Sequence, residues 1–335
     1  MGEWGVIAAL AGRMPAGPLT SVGIGDDAAV IGAPSGSVVA AVDLLLEGRH
    51  FRRDWSSAYD IGVKAAARSL ADIAAMGAVN TALLVALAVP GELPVRWPLD
   101  LADGLAAEAG RAGAGIVGGD TARADSVLLS VTALGDLAGR RPVLRSGARP
   151  GDVIAVAGPL GRSAAGLALL SAGLAGESAS SDALAGLLAA HRRPSPPYQA
   201  GPEAATLGAT AMIDVSDGLV ADLGHIADAS GVAVDLDGSS LVIGGPLSEA
   251  AALLREKSNS DSSRTDPGFT HSSMPLEWML TGGEDHSLVA AFPPSAQLPP
   301  HWRVIGRVRA VDGAGPGVTV DGAPHTGPGG WQHFR

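Results

Sequence analysis

SVVAAVDLL at Ser37–Leu45, followed by SAYDIGVKAAARSLADIAAM at Ser57–Met76, decides the fold class. The first stretch is short, apolar and rich in β-branched valine, which predicts a buried strand. The second opens on Ser56 and Ser57, both suited to cap a helix, and stops at Gly77, which predicts a helix through Met76. Working outward, Thr81–Val89 predicts a second buried strand closed by Pro90-Gly91, and Leu99–Ala112 predicts a helix. Ile116–Val117 reads as a short strand running into Gly118-Gly119, and Ser126–Leu137 as another strand. Strands and helices in alternation specify an α/β (α+β) chain whose N-terminal part is a mixed sheet with helices.

The composition then changes. Residues 139–151 gather Arg140, Arg141, Arg145 and Arg149 with Pro and Gly and show no periodicity, so they read as a junction loop between a domain at 1–138 and another at 152–335. In the second domain, strands are expected at Asp152–Ala157, Thr210–Asp214, Ser287–Phe292 and Arg303–Val308. Helices are expected at Arg162–Ser171, Asp182–His191 and Leu219–Ala229, giving a mixed α/β domain. Lys257–Ser273 is polar and reads as a mobile surface insertion.

A chain of 335 residues is long enough for about two domains. Its net charge of −11 argues against nucleic acid as a partner, since a phosphate backbone calls for surplus Lys and Arg. Cysteine is absent, which removes disulfides, thiolate metal sites and a cysteine nucleophile. The start of the chain lacks a basic and apolar leader, and no apolar run reaches the roughly 18 residues of a membrane span, so a cytoplasmic protein without membrane partners is expected. The two lysines, Lys64 and Lys257, follow Val63 and Glu256 rather than Gly, so there is no Walker A loop.

With few charges in the chain, the aspartates inside apolar segments stand out. Asp26 and Asp27 lie in VGIGDDAAV, Asp43 in AAVDLLL, Asp72 in SLADIAAMGA and Asp120 in GIVGGDTA. Asp214 and Asp217 lie in MIDVSDGL, and Asp285 in LTGGEDHSL. A carboxylate in apolar surroundings is costly unless it is paired, hydrogen-bonded or on a metal. Taken singly, Asp72, Asp217 and Asp285 read as caps or turn residues. The adjacent pair Asp26-Asp27 is harder to explain without a cation, and hard oxygen donors without Cys point to Mg²⁺. Gly23–Ala28 formally fits a dinucleotide fingerprint, but two aspartates there would repel a pyrophosphate. Gly118-Gly119 and Gly282-Gly283 permit close approach of backbone to a ligand, with a tight turn as the alternative.

Taken in order, GIGDDAAV (23–30), VDLLLEGRHF (42–51), KAAARSLADIAAMGA (64–78), GGDTARAD (118–125), RSGARPGD (145–152), MIDVSDGLVADL (212–223), LTGGEDHSL (280–288) and GWQHF (330–334) resemble the thiamine-monophosphate kinase family, nearly end to end. That family belongs to the aminoimidazole ribonucleotide synthetase-like ATP-binding superfamily. The resemblance implies a two-domain fold, a dimer barrel built by the N-terminal domains of a homodimer, and ATP-dependent phosphorylation of thiamine monophosphate to thiamine diphosphate. It implies Asp27, Asp43, Asp72, Asp120, Asp214 and Asp217 as ligands of several Mg²⁺ ions, with Asp43, Asp120 and Asp217 central to catalysis and no general base. Gly119, Asp120, Arg145 and Ser216 would contact ATP, while His50, Glu284 and Trp331 would line the thiamine monophosphate site.

The implied chemistry suits these residue types. The nucleophile is a phosphate oxygen, largely ionised at neutral pH because its second pKa is about 6. The remaining obstacle is repulsion between two anions, which positioning and cations overcome. Ala41 and Val42 stand where the family usually carries a hydroxyl residue, and His286 where it usually has Tyr. The absence of Cys disfavours the selenophosphate synthetase and hydrogenase-maturation relatives. Aminoimidazole ribonucleotide synthetase, or a catalytically silent nucleotide-binding protein on the same scaffold, stays open as an alternative.

Overall fold

The computed structural model describes residues 5, 9–24, 28–175, 181–260, 274–311, 313, 315–325 and 329–331. The chain divides into two compact units, one of Met1–Pro142 with Tyr198–Ala205, the other of Val143–Pro197 with Thr206–Arg335.

In the first unit, β1 (Thr20–Val22) and β2 (Val30–Ile31) form a small antiparallel pair. The main sheet has the order β3 (Val39–Leu46), β6 (Leu128–Asp136), β4 (Val79–Val89), β5 (Gly115–Arg123), with β4 and β5 parallel and the other pairs antiparallel. Helices α1 (Ala58–Ala75) and α2 (Arg96–Ala112) cover one face. Ser57 caps α1 in a reciprocal box with Asp60, and the helix ends before Gly77, whose φ is +75°. The two helices cross closely because Gly62 and Gly104 have no side chain. A Cβ at Gly62 would be driven into the Leu101 carbonyl, and one at Gly104 into that of Tyr59. Leu45, Ile61, Leu70, Ile73, Leu83, Leu101, Leu105 and Leu129 are fully buried between helices and sheet.

The expected buried strand at 37–45 is half right. Along β3 alternate residues face opposite sides, and Val42 (63% exposed) and Leu44 (52%) lie open with Leu46 on the face that the helices leave bare. The apolar run hid a period of two because both of its faces carry aliphatic residues. Ile116–Val117 is likewise the start of a nine-residue strand, and Gly118-Gly119-Asp120 lies within it rather than in a turn. Gly119 is needed there, since a Cβ would overlap the Val85 carbonyl of β4.

The short segment Tyr198–Ala205 belongs to this unit although it lies within the second half of the sequence. It carries most of α5 (Ala200–Thr206), whose Gly201 sits against the Ala74 carbonyl of α1. The Tyr198 hydroxyl donates to Glu108 Oε1 at 2.6 Å, with the Arg111 guanidinium 4.5 Å over its ring.

The second unit is built on a seven-stranded sheet of order β13 (Ala323–Pro324), β12 (Gly317–Val320), β9 (Ala233–Leu236), β11 (Trp302–Arg309), β7 (Val153–Ala157), β10 (Leu288–Phe292), β8 (Ala211–Asp214). Only β9–β12 is parallel. Its helices are α3 (Arg162–Ser171), α4 (Asp182–Arg192), α6 (Leu219–Ser230), α7 (Gly245–Ser260) and α8 (Met274–Thr281). Lys257–Ser260, expected in a mobile insertion, form the last turn of α7. The rest of that insertion, 261–273, lies outside the described residues. Among the described residues no helix is long and apolar enough to cross a membrane.

Candidate active site

Three of the first unit's acidic candidates are described, and they occupy different surroundings. Asp43 lies in the middle of β3 on the helix-covered face, where Ser69 of α1 donates its hydroxyl to Asp43 Oδ2 at 3.0 Å and Arg68 Nη2 lies 3.9 Å from Oδ1. Ser69 thus places a hydroxyl at Asp43, although Ala41 and Val42 have none. Asp72, three residues beyond Ser69 and four beyond Arg68, shares their face of α1; it lies in the last turn of that helix and does not cap it. Asp120 is different. The sheet register aligns Asp43, Val131, Val85 and Gly119, so Asp120 falls in the next row and turns to the opposite face. Its Oδ1 accepts the Thr121 amide at 2.8 Å. Asp27 lies outside the described residues. Among the described residues no three metal-ligating side chains gather in one group.

His50 is set by the turn that follows β3. Its Nδ1 accepts the Leu46 amide at 3.0 Å, which leaves the ring proton on Nε2 as a donor. Beside Gly118, Gly119, Asp120 and Thr121 lies a cavity of ≈ 160 Å³ walled chiefly by aliphatic side chains, among them Met14, Leu87, Leu101 and Leu105.

The second unit gathers more of the predicted residues. Strand β8 ends at Asp214, and the loop Val215–Gly218 leads into α6. One oxygen of Asp222, in the first turn of α6, accepts the amides of Ser216, Asp217 and Gly218 at 3.0, 3.1 and 3.0 Å. The carbonyl of Ser216 accepts the Glu284 amide at 2.8 Å, and that of Asp217 accepts the Trp331 amide at 3.0 Å. Ser216, Asp217, Glu284 and Trp331 are therefore neighbours, and Trp331 is 63% exposed. Glu284 and His286 have φ of +66° and +52°, a left-handed backbone that is costly outside glycine and tends to mark functional sites. Gly282-Gly283 is a point of close approach, because a Cβ on Gly283 would be driven into the Ser216 carbonyl.

Negative charge is concentrated here. His286 Nδ1 lies 3.0 Å from Asp214 Oδ2, both side chains buried. Burial pushes the Asp222 carboxyl up to about 8, helped by the charges of Asp214 and Asp217 and opposed by the amides of Gly218 and Asp217. A cation would relieve that crowding, and the donors are hard oxygens, so the residue types fit Mg²⁺. Asp285 caps α3 from a distance, accepting the amides of Gly161 and Ser163 at 2.5 and 2.8 Å. Its burial still pushes the carboxyl up to about 7.

Arg145 is not brought to Ser216. Its carbonyl accepts the Ser230 hydroxyl, and Ser230 also receives the amides of Gly147 and Ala148. Ser230 ends α6 and Ser216 precedes its start, so the length of a 12-residue helix, roughly 18 Å, separates them. Sequence reasoning missed Asp222 and gave Asp285 and His286 no part in the site. The available signal for Asp222 was a carboxylate on the apolar stripe of a short helix.

Residues 25–137 match the AIR synthase related protein N-terminal domain, and residues 149–315 match the AIR synthase related protein C-terminal domain. The chain is 48% identical over 336 aligned positions to a thiamine-monophosphate kinase of Mycobacterium tuberculosis, covering 100% of this chain and 92% of that one. The solved thiamine-monophosphate kinase of Stenotrophomonas maltophilia aligns with a TM-score of 0.77 at 32% identity, covering 96% and 95% of the two chains. AaThiL complexed with AMPPCP and TMP aligns with a TM-score of 0.76 at 29% identity, covering 99% and 97%. From end to end, then, this chain belongs to the thiamine-monophosphate kinase family.

Proposed function

We infer that the chain transfers the γ-phosphoryl group of ATP to thiamine monophosphate, giving ADP and thiamine diphosphate. The observation that carries this reading is the meeting of Ser216, Asp217, Glu284 and Trp331 around one loop, in a chain akin to named kinases over its whole length. AaThiL, complexed with AMPPCP and TMP together, supports direct transfer between two bound substrates.

A phosphate oxygen of thiamine monophosphate forms a bond to the γ-phosphorus of ATP, and the bond to the β–γ bridging oxygen breaks as ADP leaves. The acceptor is already ionised, so no residue has to remove a proton. His50, with its proton on Nε2, donates to the substrate phosphate. Glu284 accepts from the aminopyrimidine, and the exposed indole of Trp331 offers its face to the cationic thiazolium. Gly119 and Asp120 meet ATP beside the aliphatic cavity, which suits the flat base, and Ser216 donates to its phosphates. Arg145 contacts ATP from its separate patch near the far end of α6.

Asp27, Asp43, Asp72, Asp120, Asp214 and Asp217 are the residues we assign to Mg²⁺, which when bound supplies charge neutralisation and Lewis acidity to the phosphoryl group. We also propose a homodimer through the bare face of the first unit's sheet, where Val42, Leu44, Leu46 and Leu84 form an exposed apolar strip. The cytoplasm, where ATP is available, is the setting proposed for the reaction.

The test is product identity. With ATP, thiamine monophosphate and Mg²⁺, ADP and thiamine diphosphate should appear in equal amounts, and ADP release should require thiamine monophosphate. ADP accompanied by inorganic phosphate alone would overturn the reading.

A further inference from the structure

We propose that Asp222 is a positioning residue that holds the two substrate subsites in register, although it touches neither substrate. The inference rests on the reading that Ser216 and Asp217 serve ATP and its metal while Glu284 and Trp331 serve thiamine monophosphate.

Three consecutive peptide N–H groups, those of Ser216, Asp217 and Gly218, converge on Oδ2 of Asp222. That side chain is only 2% exposed. A loop whose donors all point inward cannot cradle a phosphate on its backbone, as glycine-rich nucleotide loops do. An anion met by this loop is therefore met by the Ser216 hydroxyl. The same three bonds fix where the loop's carbonyls point. The Ser216 carbonyl takes the Glu284 amide, and the Asp217 carbonyl takes the Trp331 amide.

Both junctions are close-packed. A Cβ on Gly283 would be driven into the Ser216 carbonyl, and one on Gly330 into the Asp217 carbonyl. Gly218, at φ +138°, would push a Cβ to 2.6 Å from the Thr281 carbonyl. The loop thus has little room to shift by itself. If it moves, Glu284 and Trp331 move with it, and displacements near 1 Å are enough to cost a kinase heavily.

One acceptor oxygen is what this role requires, and an asparagine supplies it while removing the charge. A leucine of similar shape removes the acceptor and leaves three donors without it, that of Gly218 buried and those of Ser216 and Asp217 half-buried. Asp222→Asn should keep the KM values for both substrates within about threefold of the wild type. Asp222→Leu should raise both KM values tenfold or more. Hydrogen exchange on the wild-type protein supplies a readout that does not depend on whether Asp222→Leu folds: the three amides should exchange at least 100-fold more slowly than in an unstructured peptide.

The proposal is overturned if Asp222→Leu leaves either KM unchanged, if Asp222→Asn is as impaired as Asp222→Leu, or if the three amides exchange as free loop amides. Absence of turnover in the wild type would overturn the functional reading instead, and the exchange result would still decide whether the loop is held as described.

Discussion

Gly330→Ala should weaken thiamine monophosphate binding while leaving ATP binding intact. The added Cβ would be driven into the Asp217 carbonyl and would lie 2.8 Å from Ala221 Cβ. Overpacking of this kind costs about 1–3 kcal/mol. The Gly329–Trp331 segment is fastened at this point by two backbone bonds of 3.0 Å, from Ala221 to Gly329 and from Trp331 to Asp217, together worth roughly 1–3 kcal/mol. The opposing side is firmer, since the loop before α6 is held by three bonds to Asp222. The segment should therefore lift away and carry Trp331 with it. Losing 1–3 kcal/mol corresponds to a rise in KM of roughly 5- to 150-fold. ADP release measured against thiamine monophosphate at saturating ATP reads this directly. The KM for ATP, kcat and Tm should change little. A thiamine monophosphate KM within twofold of the wild type would refute both the placement of Trp331 in the site and the tightness of the Gly330 contact.

Two further outcomes follow from the geometry. Val42→Glu places a charge in the exposed strip of β3 and should convert the homodimer proposed above to a monomer of 33.3 kDa, as read by light scattering, with the fold retained; an unchanged dimer mass would remove that face as the proposed interface. Burial raises the Asp285 carboxyl to about 7 despite its two amide donors, so its neutral form contributes stability that is full below the unfolded value near 4 and is lost as pH climbs through 7. The melting temperature of the wild type relative to Asp285→Asn should therefore fall between pH 5 and pH 8, and parallel profiles would contradict the assignment.

Much of this fold is legible in the residues. Helix α3 falls on Arg162–Ser171 as its pattern predicts, and α1 is announced by Ser57 and closed by Gly77. The elements that escape are short or depend on distant partners. Strand β9 is only Ala233–Leu236, and its parallel partner β12 lies about 80 residues further on, so no local period marks either. The segment Tyr198–Ala205 carries no local mark of the first unit, because its ties there are to residues distant in sequence, among them the Tyr198 hydroxyl on Glu108, the Arg111 guanidinium over the Tyr198 ring and Gly201 against Ala74.

The site divides in the same way. Ser216, Asp217, Glu284 and Trp331 were named from local segments, and hydrogen bonds between those segments join them. Asp222 went unread because a carboxylate within an apolar helix looks like a break in the pattern until its three donors are seen. Arg145 and Ser216 are both expected at ATP from their segments, whereas the chain anchors the Arg145 loop at the other end of α6.

On the proposed function, carboxylates make transfer between two phosphorylated anions possible. Asp43→Asn and Asp120→Asn test it most directly, since asparagine keeps an acceptor for the Ser69 hydroxyl and for the Thr121 amide while removing the charge. At saturating Mg²⁺ each variant should lose at least about 100-fold in turnover, a loss of roughly 2.7 kcal/mol of transition-state stabilisation, with Tm close to the wild type. Wild-type turnover in either variant would contradict the account.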